Sequence, residues 1–225
     1  MKKLTFIVIM MISMACLINA QNPEWLNFTN GDYITALAEE DNLIWVGTTG
    51  GLVQVDKDTG IPVFYNKANS GLPGNNVRSI AIDVNGMKWI GTWNDGMASF
   101  DGTNWTVYNT SNSGLPHNDI NSIVVDVDGL KWIGTYNDGL AAFDGTNWMV
   151  YDTSNSNLPH NLVYTITIDE DGTKWIGTSG GLAGFDGTDW TIYTQINSDL
   201  PCNIVLTITI DGNGTKWIGT AYDLW

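Results

Sequence analysis

Cysteine is nearly absent from this chain of 225 residues, which carries only Cys16 and Cys202. Cys16 falls in an N-terminal segment expected to be removed, so Cys202 is left alone and no intrachain disulfide can staple the fold. Histidine is as rare. His117 and His160 stand one repeat apart, and their counterparts in the other repeats are Gly74 and Cys202. A zinc site needs three or four convergent ligands, so no metal and no cofactor is expected. Basic residues are few: Lys and Arg total 9 against 24 Asp and Glu, a formal net charge of −15. Such a chain is repelled by nucleic acid and by an anionic membrane surface. The single long apolar run, Leu4–Leu17, is too short to span a bilayer.

That run has another reading. Lys2 and Lys3 precede it, and Ile18-Asn19-Ala20 follows with a small residue at the end, the layout of a secretory signal peptide over residues 1–20. Ser13-Met14-Ala15-Cys16 offers a lipoprotein cleavage context, but with Ser13 where leucine is usual. Removal of the signal leaves seven basic residues against the same 24 acids, a net charge of about −17. The mature chain, residues 21–225, is expected to be secreted, periplasmic or displayed on the cell surface.

What the sequence does contain is repetition. Lys-Trp-Ile-Gly-Thr recurs around Trp89, Trp132, Trp175 and Trp217, preceded by the variant Ile44-Trp45-Val46-Gly47-Thr48, at spacings of 44, 43, 43 and 42 residues. Leu-Pro recurs in phase at Leu72-Pro73, Leu115-Pro116, Leu158-Pro159 and Leu200-Pro201. A period in this range reads as the blade of a β-propeller, four antiparallel strands each. The third repeat parses as Ser122–Asp126, Lys131–Thr135, Leu140–Asp144 and Trp148–Tyr151. Asn-Gly and Asp-Gly pairs between the first two strands predict tight hairpins with positive φ at both central residues. Pro62 replaces the tryptophan found at Trp105, Trp148 and Trp190, which marks the fourth strand as the blade's outer edge. Trp25-Leu26-Asn27-Phe28 copies that fourth strand and predicts an N-terminal closing strand. The expectation is four complete blades, a partial fifth and the closing strand, from a propeller that continues past Trp225 or closes at five blades.

Asp126-Val127-Asp128-Gly129-Leu130-Lys131-Trp132-Ile133-Gly134-Thr135, with Gly139-Leu140 and Phe143-Asp144 after it, resembles the two-component regulator propeller repeat. The match covers residues 30–225. The resemblance implies an extracytoplasmic propeller, of the kind found as the sensor region of membrane histidine kinases, often for glycans, and in secreted or surface arrays. No kinase, receiver or DNA-binding segment is read in the chain, so signalling is not carried over with the fold.

Loops after the second and fourth strands of a blade should emerge on one face. They would present Trp93, Asn94, Asp95, Tyr136, Asn137, Asp138, His117, Asn118, His160, Asn161 and Tyr222 as candidate ligand-binding residues. Aromatic faces flanked by amides and carboxylates suit sugar or peptide recognition. The same residues also make good turns and can brace neighbouring blades. Asp126-Val127-Asp128-Gly129 and Asp169-Glu170-Asp171-Gly172 lack the later ligands of a calcium loop and read as hairpins. A constellation present in every blade is scaffold, and no Ser/His/Asp set, acid pair or phosphate loop stands out, so catalysis is not expected. Two readings follow: a non-catalytic binding scaffold for a glycan or protein partner, and a truncated sensor region of a two-component histidine kinase.

Overall fold

A computed structural model describes residues 33–221, within the unit Asp32–Trp225. The expected signal peptide (1–20), the closing strand Trp25–Phe28 and Tyr222 lie outside the described residues. The described chain is all β. Blade one comprises β1 (Ile34–Glu40), β2 (Leu43–Thr48), β3 (Gly51–Asp56) and β4 (Pro62–Tyr65). Blade two comprises β5 (Val77–Ile82), β6 (Lys88–Thr92), β7 (Met97–Phe100) and β8 (Trp105–Tyr108). Blade three comprises β9 (Ile120–Val125), β10 (Lys131–Thr135), β11 (Leu140–Phe143) and β12 (Trp148–Tyr151). Blade four comprises β13 (Val163–Ile168), β14 (Lys174–Thr178), β15 (Gly181–Phe185) and β16 (Trp190–Tyr193). β17 (Val205–Ile210) and β18 (Lys216–Thr220) begin a fifth. Each complete blade is a four-stranded antiparallel sheet in chain order, the architecture of a β-propeller.

The first strands β1, β5, β9, β13 and β17 abut one another in succession, so they line the inner side of the arc. The fourth strands lie at the outer edge, where Pro62 pairs with Val55 and costs no ladder bond on its far side. Each blade buries its faces only against its neighbours. Trp132 is 3% exposed, with Tyr151 of its own blade and Phe185 of the next at 6.0 and 5.9 Å between ring centroids. Lys174 of the next blade lies 5.0 Å over the same ring, and the indole Nε1 donates to Asp126 at 2.9 Å. The Trp–Asp bond recurs at Trp89–Asp83, Trp175–Asp169 and Trp217–Asp211. Many of the chain's acids therefore have a structural partner.

Two details differ from the sequence reading. In the first hairpin of blades two, three and four and of the partial fifth only the glycine has positive φ, +80° at Gly129, while Asp128 does not; blade one has no glycine there and puts Asp41 at φ +47° instead. Gly129 N donates to Asp126 O at 3.0 Å and Asp126 N to Leu130 O at 3.0 Å. This is a three-residue loop, a type I turn followed by a left-handed glycine, rather than a two-residue mirror-image turn. The Asp126 carboxylate stabilises it by accepting from Asp128 N and Leu130 N. In blades two to four a two-residue loop joins the third and fourth strands, with glycine first, as in Gly145-Thr146, and in blade one a two-residue loop, Asp41-Asn42, forms the first hairpin. The first strand also starts earlier than its alternation suggests, at Ile120 rather than Ser122, because each inner strand opens on a β-bulge.

Candidate functional site

The bulges decide which side chains reach the inner rim. Register is interrupted between Ile34 and Ala36, between Val77 and Ser79, and at the matching points of the other blades. The extra, unpaired residues are Thr35, Arg78, Asn121, Tyr164 and Leu206. A bulge bends its strand and re-aims the residue it carries. The residue that follows each second strand comes to the same place. Trp93 N donates to Asn76 O, Tyr136 N to Asp119 O and Ser179 N to Leu162 O, at 2.9, 3.1 and 3.2 Å. Each loop after a second strand is thereby pinned beside a bulge.

Between blades two and three this pinning gathers several of the expected residues. Arg78 lies over Trp93, its guanidinium carbon 4.4 Å from the ring centroid. Tyr136 meets Trp93 edge-on at 5.0 Å, and His117 sits 6.4 Å from Tyr136 between ring centroids. Asp119, only 8% exposed, holds the group together. Its carboxylate accepts from Asn94 N at 2.5 Å, which fixes Asn94 in the left-handed region at φ +72°. With its amide turned to satisfy both neighbours, Asn94 donates to Asp119 at 3.1 Å and accepts from the Trp93 indole at 3.0 Å. Asp119 N donates to His117 Nδ1 at 2.9 Å, which fixes the ring beside the Asp119 backbone.

The other expected residues are placed elsewhere. Asp95 turns back to the preceding loop and pairs with Lys67 at 3.0 Å. Asn137 and Asp138 are exposed on their turn, where Asp138 N donates to Thr135 Oγ1 at 3.2 Å. His160 repeats the role of His117 one blade on, accepting from Leu162 N at 2.9 Å beside the Ser179-Gly180 turn. Asn118 and Asn161 spend their side-chain oxygens on Thr110 N and Thr153 N inside their own loops. Among the described residues no group of three or more His, Cys, Asp or Glu is gathered for a metal ion. No described helix is long and apolar enough to cross a membrane.

Arg78 and Asp119 escape the motif-based reading. Arg78 falls one residue ahead of the run from Ser79 that reads as strand. The signal that marks it is a break in the repeat: its position holds Thr35, Asn121, Tyr164 and Leu206 in the other blades. Asp119 likewise corresponds to Asn76, Leu162 and Ile204.

No family model matches the chain, and no curated protein does. Solved structures do. The extracellular domain of a putative hybrid two-component system from B. thetaiotaomicron superposes with a TM-score of 0.78 at 26% identity, over 87% of this chain and 28% of that one. A second such extracellular domain from B. thetaiotaomicron gives 0.53 at 21% identity, over 89% of this chain and 33% of the other. A catalytically inactive virginiamycin B lyase from Staphylococcus aureus, crystallised with quinupristin, gives 0.69 at 18% identity, over 86% and 65%. The chain thus spans about a third or less of the two extracellular domains. These neighbours agree with the two-component propeller repeat read from the motifs and with an extracytoplasmic propeller. The lower identities of the last two bear on the fold alone.

Proposed function

We propose that this chain is an extracytoplasmic propeller, exported by the signal over residues 1–20, that binds a saccharide without transforming it. The binding surface is the inner rim between blades two and three. The observation that carries this reading is the convergence of Trp93, Tyr136 and His117 around the buried Asp119, in the place where the scaffold repeat is broken. A partly exposed tyrosine beside outward polar tips suits a sugar, which offers both an apolar face and hydroxyls. Trp93 serves mainly as a brace, since Arg78 and Tyr136 both pack on it.

Calorimetric titration with an oligosaccharide panel tests the reading. Tyr136→Ala should weaken the bound member about 10-fold or more, with the melting temperature nearly unchanged. Equal affinity in the Tyr136→Ala variant would remove the site, and release of cleaved product would remove the non-catalytic part.

The likeness to an extracellular domain of a two-component system favours a second reading, in which the propeller is part of a sensor. The reading frame that encodes the chain separates the two. A membrane helix and a kinase in the same frame would make it a sensor, and their absence a free-standing binder.

A further inference from the structure

We propose that the site takes a carboxylate-bearing saccharide, a uronate, and that Arg78 is the residue that recognises its acid group. The inference rests on the saccharide reading above and narrows it. Arg78 is the only arginine in the chain. All six described lysines are committed: Lys57, Lys67, Lys88 and Lys216 pair with Glu39, Asp95, Glu40 and Asp169, while Lys131 and Lys174 are buried against tryptophan rings. Of the described Lys and Arg side chains, Arg78 is the exposed one with no carboxylate at ion-pair distance, in a chain whose net charge is −15.

Its placement is also out of pattern. At the equivalent bulges Thr35 and Asn121 donate to the backbone carbonyls of Val77 and Val163 in the next blade. Arg78 instead lies over Trp93 within its own blade. A guanidinium held over an aromatic ring keeps N–H groups for a carboxylate, which it matches with two parallel hydrogen bonds. Trp93 is itself held by Asn94 and Tyr136, so the fork is oriented before any ligand arrives. The nearby carboxylates do not compete for it. Asp95 is paired with Lys67, and Asp119 is occupied by Asn94. Tyr136 meets the same Trp93 ring, and in this proposal it takes the sugar ring while Arg78 takes the acid.

A lone arginine makes the test direct, because its Nε–H gives one resonance in a ¹⁵N-labelled sample. Oligogalacturonides and their carboxyl-reduced counterparts are titrated against that peak and by calorimetry. The expected result is that the acidic form binds and shifts the Arg78 resonance, while the reduced form binds ~10- to 100-fold more weakly. Arg78→Gln should erase that preference, and Arg78→Lys should restore only part of it, with melting temperatures unchanged. Equal binding of both forms, or binding of the acid that leaves the Nε–H peak in place, overturns the carboxylate assignment and leaves the saccharide site standing. If neither form binds but an acidic peptide moves the peak, the saccharide reading itself falls.

Discussion

Trp132 is held by hydrogen bonding, stacking and burial at once. Its indole donates to Asp126, Lys174 covers one face, and Tyr151 and Phe185 close the sides. Trp217 makes the same hydrogen bond to Asp211 but is 61% exposed. The repeat therefore supplies its own control. Trp132→Ala should destabilise the protein by about 3–5 kcal/mol, as for a large aromatic removed from a core. Trp217→Ala should cost about 1 kcal/mol or less. Urea denaturation of the two variants gives the comparison, and similar losses would mean that burial between blades is not what the motif tryptophan contributes.

The strands show how far the sequence can be read. The second and fourth strands of blade three coincide with their expected bounds, Lys131–Thr135 and Trp148–Tyr151, because repeated tryptophans and tight turns bracket them. The first strand is legible only beyond its bulge. Alternation carries no information where one residue is left unpaired, so Ile120 and Asn121 fall outside the pattern. Arg78 escapes for the same reason, and Asp119 because its counterparts in other blades are unrelated residues. Spacing does foresee that the loops carrying Trp93, Tyr136 and His117 share a face. It cannot foresee that Asp95 turns away or that Trp93 is covered. Two glycines of the motif separate backbone strain from crowding. Gly129 has φ +80° and a methyl there would meet nothing within 4 Å, so Gly129→Ala should cost about 1–2 kcal/mol from left-handed strain. At Gly134 a Cβ would come within 2.6 Å of Val163 in the next blade. Gly134→Ala should cost about 1–3 kcal/mol by pushing two blades apart. Only the second should alter amide exchange in the neighbouring blade, and exchange confined to blade three in both variants would contradict this.

Acid is the condition to which the whole arc responds. Asp101, Asp144 and Asp186 occupy one turn in three successive blades, and each carboxylate lies below the usual aspartate range. The main cause is the backbone N–H that each accepts, from Asn104, Asn147 and Asp189 in turn. A carboxyl whose pKa is lower folded than unfolded stabilises the fold above its unfolded value, about 3.9 for aspartate. That stabilisation is lost as pH falls through the lower, folded values. The melting temperature should thus vary little between about pH 7 and 5 on account of these groups and decline below about pH 4. Scanning calorimetry across that range checks the sign, and a melting temperature that rises on acidification below about pH 4 would contradict it.

The bulges that open β1, β5, β9, β13 and β17 separate two properties that most sheets tie together. A residue outside the ladder register can be exchanged without moving the strand pairing on either side of it. Thr35, Arg78, Asn121, Tyr164 and Leu206 are five such places around one rim, and they already hold five different chemistries. They behave as sockets. The frame stays constant while the fittings change, so what the rim recognises can be rewritten one residue at a time.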